Sequence, residues 1–428
     1  MTKTLINIVG GFLILIVCLG CLKEIDIRTE TEFNSALVIE ATITNEFKYQ
    51  KIKLSRTYRL EEEGPVLESG ASVKIIGNGS EYIFQENESG EYLSNVQFAA
   101  QSSIDYHLEI VTAGGQHYGS QIMQLTPETP IGDLYVERGL NENNVEGVSI
   151  FVDANDVTGA TKFYRYEYEE TYKVIAPFYS PRELTILNND FPYPSTFLNQ
   201  FNTVQDVLDF FFLLDFRPEQ EQICYNTVVS NHILVTSTED LVSDDLTQFR
   251  IRFINRNNYI ISHRYSILVR QFIQSEAAHI FYKTLNDFSS EGSLFSEIQT
   301  GFLEGNVFST TNQDELVVGY FEVSSVDERR VYFNYDDLFP GDILPPYYIT
   351  CDDFFSPIFL EEDFAHNVIN SDIINALNSG MVFFDDEEYN PNDSPFAAYG
   401  ITPYILVLGP CGDCTLLGNN VVPDFWEE

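Results

Sequence analysis

Positive charge is what this sequence holds least of. Its 428 residues carry 23 Lys and Arg against 65 Asp and Glu, a formal net charge of -42 at neutral pH. Nucleic-acid binding needs cations clustered against phosphates. Nucleic acid is therefore excluded as a partner, and flat adsorption on an anionic surface is disfavoured on the same ground. The acidic excess keeps a chain soluble through self-repulsion; the functional alternative is a cation or a basic partner. Histidine is scarce too. The six residues His107, His117, His232, His263, His279 and His366 contain no His-x-x-x-His pair. His107 and His263 fall in or beside strand-like segments and read as structural. There is no Gly-x-Ser-x-Gly elbow and no phosphate-cradling glycine loop. Adjacent carboxylates do occur, at Asp336-Asp337, Asp352-Asp353 and Asp385-Asp386-Glu387-Glu388. So many acids place neighbours side by side by chance, whereas a glycosidase needs two across a cleft. The run from Asp385 to Glu388 lacks EF-hand spacing and reads as a solvated loop rather than a calcium site. No catalytic residue, metal or cofactor is expected.

The chain opens with Met1-Thr2-Lys3-Thr4 and then an apolar run from Leu5 to Gly20. That run is shorter than the roughly 20 residues needed to cross a hydrocarbon core. A basic start, an apolar stretch and a small residue before the cut describe an export signal over 1–20. Its end, Cys18-Leu19-Gly20-Cys21, resembles the lipobox of bacterial lipoproteins, in which the peptidase cuts before an acylated cysteine. Leu19 and Gly20 suit that box; Cys18 stands where an aliphatic residue is usual. Cys21 is thus the expected lipid anchor and residues 21–35 a lipidated tether. A plain secretory signal or a single membrane anchor is the alternative. The acids in Leu22-Lys23-Glu24-Ile25-Asp26 resemble an export tag. They favour the outer membrane, and the cell surface over the periplasmic face.

Four cysteines remain, Cys224, Cys351, Cys411 and Cys414, and four cysteines allow three pairings. Cys411-Gly412-Asp413-Cys414 has the spacing of a redox motif or half a zinc site. A redox role wants a βαβ context, which is missing, and zinc wants more ligands. Exported chains form disulfides, so disulfides are the expected state. Cys351 is expected to bridge to Cys411 or Cys414, with which it shares the C-terminal region.

Aromatic residues make up 14% of the chain, 34 Phe and 25 Tyr with one Trp. Phe and Tyr favour strands. From Leu37 to Leu125 short alternating segments recur between glycine turns, among them Gln50–Tyr58, Ala71–Ile75, Tyr82–Phe84 and Tyr106–Ile110. Such spacing predicts a β-sandwich over 36–128, transthyretin-like or Ig-like. Thr126-Pro127-Glu128-Thr129-Pro130 reads as a boundary, because proline disfavours regular pairing. The remainder, 129–428, reads as a second, Ig- or fibronectin-like β region with a few helices. Strands are expected at Gly147–Asp153, Phe163–Glu169, Gln248–Phe253, Arg264–Phe272, Val317–Val323 and Arg330–Phe333. Helices are expected near 202–215, 275–288 and 371–379. The first of these carries Val204, Val207, Leu208, Phe211 and Phe212 on one stripe, which docks on the sandwich or fills a partner's groove. Ser275 caps the second; Gly380 ends the third. The prolines Pro181, Pro192 and Pro194 mark an irregular excursion from Ser180 to Glu221.

The lipobox, the Ser275 helix, Gly305-Asn306-Val307, Gly319-Tyr320-Phe321, and the tail from Cys411-Gly412-Asp413-Cys414-Thr415 to Pro423-Asp424-Phe425-Trp426 together resemble a Bacteroidota lipoprotein family, the domain of unknown function DUF4249. The resemblance runs from Cys21 to Trp426, with Ser180–Glu221 as a local insertion that does not match. It implies an outer-membrane lipoprotein, often encoded near a TonB-dependent receptor, and no reaction. The expected function is a non-enzymatic binding or accessory component beside such a receptor. The alternatives are a cell-envelope hydrolase, motivated only by the acidic clusters, and a structural or adhesive surface protein.

Overall fold

The computed structural model describes residues 35–58, 64–156, 158–241, 245–290, 303 and 305–428. The export signal and Cys21 lie outside the described residues. The chain is mostly β, as expected, with several sheets and a few helices. No helix among the described residues is long and apolar enough to cross a membrane.

The first sheet grows from strict alternation. In β1 (Leu37–Thr44), Leu37, Ile39, Ala41 and Ile43 point inward, because successive side chains of a strand face opposite ways. Next come β2 (Lys51–Arg56), β3 (Val66–Leu67), β4 (Ser72–Gly77), β5 (Ser80–Glu88), β6 (Glu91–Ser94), β7 (Tyr106–Val111) and β8 (His117–Ser120). Asn78 and Gly79 both have positive φ, 48° and 79°, and form the two-residue turn joining β4 to β5.

Two strands of this sheet come from far along the chain. β19 (Val307–Ser309) joins β8 at one edge, and β20 (Val317–Ser324) pairs in parallel with β1 at the other. The division at residue 128 placed Val317–Val323 with the second region. Its inward residues Val317, Phe321 and Val323 belong instead to the first core. Gly305-Asn306-Val307 and Gly319-Tyr320-Phe321 meet at this closure. The buried Asn306 amide donates to the Phe321 carbonyl (2.8 Å) and accepts from the Phe321 N–H (2.7 Å). Gly319 sits at φ +146°, where an added Cβ would lie 2.2 Å from the Ile39 carbonyl. Only glycine lets β20 come this close to β1.

In the second region two sheets pack face to face. One holds β9 (Ile131–Leu140), β10 (Glu146–Asn155) and β17 (Asp245–Asn255). The other runs β15 (Ile223–Val229), β11 (Phe163–Ile175), β18 (Arg264–Ile273), β21 (Val326–Asn334), with β16 (Leu234–Ser237) also on β11. Val148, Ile150 and Val152 meet Tyr164, Tyr166, Tyr265 and Ile267 between them. Thr126–Pro130 is a packed seam rather than a loose linker. The Thr126 hydroxyl donates to the Ile273 carbonyl (2.9 Å), Ser325 donates to the Pro127 carbonyl (2.6 Å), and Gln271 donates to the Thr129 carbonyl (2.9 Å).

Beside this seam a buried ion pair joins the two regions. Arg165 on β11 meets Glu322 on β20 at 3.0 Å, with side chains 7% and 2% exposed. The guanidinium lies 4.2 Å over the Phe272 ring and 4.8 Å over Tyr282, and also pairs with Glu167. Gln274 donates to the other Glu322 oxygen at 3.3 Å. Tyr282 comes from α2 (Glu276–Ser290), whose Ser275 cap accepts from the Ala278 N–H and whose Ala278 and Phe281 pack on Tyr320.

The excursion from Ser180 to Glu221 is half of a third core. Its stripe on α1 (Val204–Phe211) is buried, with Thr203 and Asp206 closing a capping box. The helix packs not on a large sheet but against residues from 359–406, including Phe359, Ile369, Ile373, Phe383 and Leu406. This core holds α3 (Asp372–Asn378), capped by Ser371 and followed by Gly380 at φ +92°. Short strands frame it: β12 (Arg182–Ile186) with β14 (Phe212–Phe216), β13 (Tyr193–Pro194) with β23 (Val368–Asn370) and β22 (Glu361–Asp363), and β24 (Met381–Asp386) with β25 (Tyr404–Leu408). Stacked and edge-on rings of Phe191, Tyr193, Phe197, Phe210 and Phe211 fill the space.

Candidate functional site

The disulfides fasten the third core to the second region. Cys224 on β15 is bonded to Cys414, and Cys351 to Cys411. The Cys411-Gly412-Asp413-Cys414 pair therefore serves two separate bridges. The carboxylate neighbours do not converge. Asp337 accepts from the Asn334 N–H (2.7 Å), Asp386 pairs with Arg182 (2.7 Å), and Glu387 accepts from Ser356 (3.1 Å). Among the described residues no group of three or more His, Cys, Asp or Glu side chains is placed to hold a metal. The histidines stay apart as well. His107 lies 3.5 Å from Glu109, His366 lies 2.7 Å from Asp363, and His279 packs on Phe163. A cleft of about 650 Å³ opens beside Gln121, Gly305, Ser309 and Glu315, on the β19 edge of the first sheet.

A second built surface lies elsewhere, on the outer face of the β15–β11–β18–β21 sheet. Register sets it out in rows. Tyr225 stands opposite Lys173, and Arg264 opposite Asn334. One step along, Thr227, Thr171, Ser266 and Tyr332 share a row. The next holds Val229, Glu169, Leu268 and Arg330. The intervening residues Tyr172, Tyr265, Ile267 and Phe333 face the core. Alternation thus puts Lys173, Arg264 and Arg330, in a chain poor in cations, on one outer face.

The tail covers this face. Its base is fixed by backbone hydrogen bonds between Tyr225 and Asn419 (2.8 and 2.9 Å), next to the Cys224–Cys414 bridge. Farther along, Phe425 lies 3.7 Å under the Arg330 guanidinium, a cation–π contact. Trp426 packs edge-on to Tyr225 (4.9 Å) and Tyr332 (6.3 Å). The Tyr332 hydroxyl donates to the Phe425 carbonyl and Arg264 to the Glu427 carbonyl. Lys173 holds the Glu428 carboxylate at 3.0 and 3.1 Å. The Lys173 ammonium keeps that carboxyl below its ordinary range, with Arg264 adding to the effect. Burial, with the Lys173 charge behind it, pushes the neighbouring His263 imidazole down as well. A cleft of about 280 Å³ continues from Glu428, lined by Lys173, His263, Arg264, Asn334, Asp336 and Leu344 among others.

This cationic and aromatic face was not read from the sequence. Its residues come from four strands spread over more than a hundred positions, and only their register aligns them. The available signal was the presence of Lys173, Arg264 and Arg330 at the polar positions of strands in an acidic chain.

The chain belongs to the family described as a domain of unknown function, DUF4249, whose model matches residues 23–330. The match stops short of Cys411–Cys414 and Phe425–Trp426, which the sequence resemblance took in. It includes Ser180–Glu221, the stretch read as an insertion. No curated protein matches the chain.

Proposed function

We propose that this chain is an outer-membrane-anchored lipoprotein acting as a non-enzymatic binding or accessory component of TonB-dependent uptake, displayed at the cell surface. The observation that carries the reading is the Cys18-Leu19-Gly20-Cys21 motif, one short tether ahead of β1 at Leu37. Family membership supports it. The two disulfides support it too, since they belong to an oxidising compartment. Acyl chains on Cys21 would hold the β body at the membrane. Two proteins confined to one membrane meet at a raised effective concentration, so a modest contact suffices for function.

The test is affinity purification of the lipidated protein from its native outer membrane in mild detergent, read by mass spectrometry. Stoichiometric recovery of a TonB-dependent barrel is expected; recovery of the protein alone removes the accessory role. Cys21→Ala is expected to release the chain from membranes, and a chain that stays bound without lipid refutes the anchor.

A further inference from the structure

The face under the tail is built like a peptide-binding surface that is already occupied. Three features carry this. The first is charge: in a chain of net charge -42, Lys173, Arg264 and Arg330 gather on one face against Glu169, which pairs with Arg330 at 3.4 Å, so the rows under the tail keep an excess of cations that complements an acidic segment. The second is the mode of contact. Past its base the tail is gripped by side chains of the sheet, namely a cation–π contact on Phe425, two tyrosines around Trp426, donors to the carbonyls of Phe425 and Glu427, and an ammonium on Glu428. Donors aimed at main-chain carbonyls, with aromatic and charged contacts to the side chains between them, are the kind of contacts by which proteins grip a short peptide, here one turned by the hydrogen bond from the Trp426 N–H to the Pro423 carbonyl (2.9 Å). The third is where the tail is fixed and where it is not. Asn419 is locked to Tyr225 beside a disulfide, while Val421 and Val422 stand 67% and 54% exposed between that anchor and Phe425.

We infer that the outer face of the β15–β11–β18–β21 sheet is a docking surface for an aromatic–acidic segment of a partner protein, and that Phe425–Glu428 is a strap that such a segment displaces. The strap holds the site by proximity. A short tether gives it an effective concentration on the order of millimolar, so a partner segment must bind more tightly than the strap or arrive already confined nearby. The Lys173–Glu428 pair, with Lys173 16% and Glu428 66% exposed, is one of several contacts that hold the strap shut, and reversing the Lys173 charge turns it into a repulsion. The inference does not depend on the membrane anchor and stands or falls separately from it.

Trp426 is the only tryptophan among 25 tyrosines in the sequence, so emission excited at the red edge of tryptophan absorption, where tyrosine does not absorb, reports the strap. The probe is a synthetic peptide of residues 421–428 carrying Trp426→Phe, which is silent at the tryptophan wavelength. Titrated into the full chain up to about ten times the millimolar effective concentration, it is expected to move Trp426 emission to longer wavelength, saturably, with a midpoint near millimolar. A scrambled peptide of the same composition is expected to leave the emission unmoved. Lys173→Glu in the full chain, its fold checked by circular dichroism, is expected to red-shift the emission without peptide. An emission unmoved both by excess peptide and by Lys173→Glu makes the strap a fixed part of the fold and overturns the inference. A scrambled peptide as effective as the probe overturns it equally, since bulk charge would then explain the response.

Discussion

Replacing Arg165 by Met removes one partner of the buried pair that joins the two β regions. Glu322 would keep only the Gln274 amide, at 3.3 Å, in a site 2% exposed. A carboxylate stranded in this way costs about 3–5 kcal/mol. Glu322→Leu strands the guanidinium less completely, because Arg165 still pairs with Glu167 and still lies over Phe272 and Tyr282. Its cost is expected nearer the lower end, about 3 kcal/mol. In the double variant neither charge is left unpaired, and apolar side chains fill comparable space. Its cost should fall well below the sum of the single costs, with a coupling of about 2 kcal/mol. Urea unfolding of the four proteins gives the cycle directly, provided the m-values agree. Equal costs for the double variant and the summed singles would refute the pair as a coupled unit. A lowered m-value in either single variant would instead show that the two regions unfold separately once the pair is broken.

Loss of Cys224–Cys414 through Cys224→Ala/Cys414→Ala is expected to cost about 2–4 kcal/mol. Because it closes 190 residues against 60 for Cys351–Cys411, it should cost about 1 kcal/mol more than loss of the other bridge by loop entropy; chemical unfolding of both variants checks the order, and four free thiols in non-reducing peptide mapping would remove its basis. Phe211→Ala empties a fully buried position in the third core and is expected to cost about 3–5 kcal/mol, read as a drop in urea midpoint. Burial raises the Asp156 carboxyl, but hydrogen bonds from the N–H and hydroxyl groups of Thr158 and Thr161 outweigh it and hold the group at about 2. Its folded value is depressed, so its stabilisation is present above the ordinary aspartate range and is lost as pH falls toward about 2. Asp156→Asn should flatten stability against pH in that window, and an unchanged slope would remove the assignment.

What could be read from the sequence was what short spacing decides. The Asn78-Gly79 turn, the α1 stripe of Val204, Val207, Leu208 and Phe211, the Ser275 cap and the Gly380 stop all appear where local pattern places them. Alternation also located β1, β7, β11 and β18. Partner choice was not legible. β20 alternates like any strand of the second region, and nothing within Val317–Ser324 says that it pairs in parallel with β1. The excursion after Ser180 looked irregular because its core partners, Phe359 to Leu406, lie well over a hundred residues away. The cationic face was hidden for the same reason, since Lys173, Arg264 and Arg330 become neighbours only through the register of β11, β18 and β21.

The place of β1 in the first sheet bears on how the body resists a pull. A load drawn through the residues before Leu37 runs along the strand axis. It meets β2 on one side, antiparallel from Leu37 to Thr42, and β20 on the other, parallel from Leu37 to Thr44. Both ladders are then loaded in shear, and their hydrogen bonds must yield together rather than one after another. The Asn306 clamp on Phe321 and the Arg165–Glu322 pair pass part of that load into the second region. A body held by its first strand in this way behaves as a strong joint at the point where tension enters.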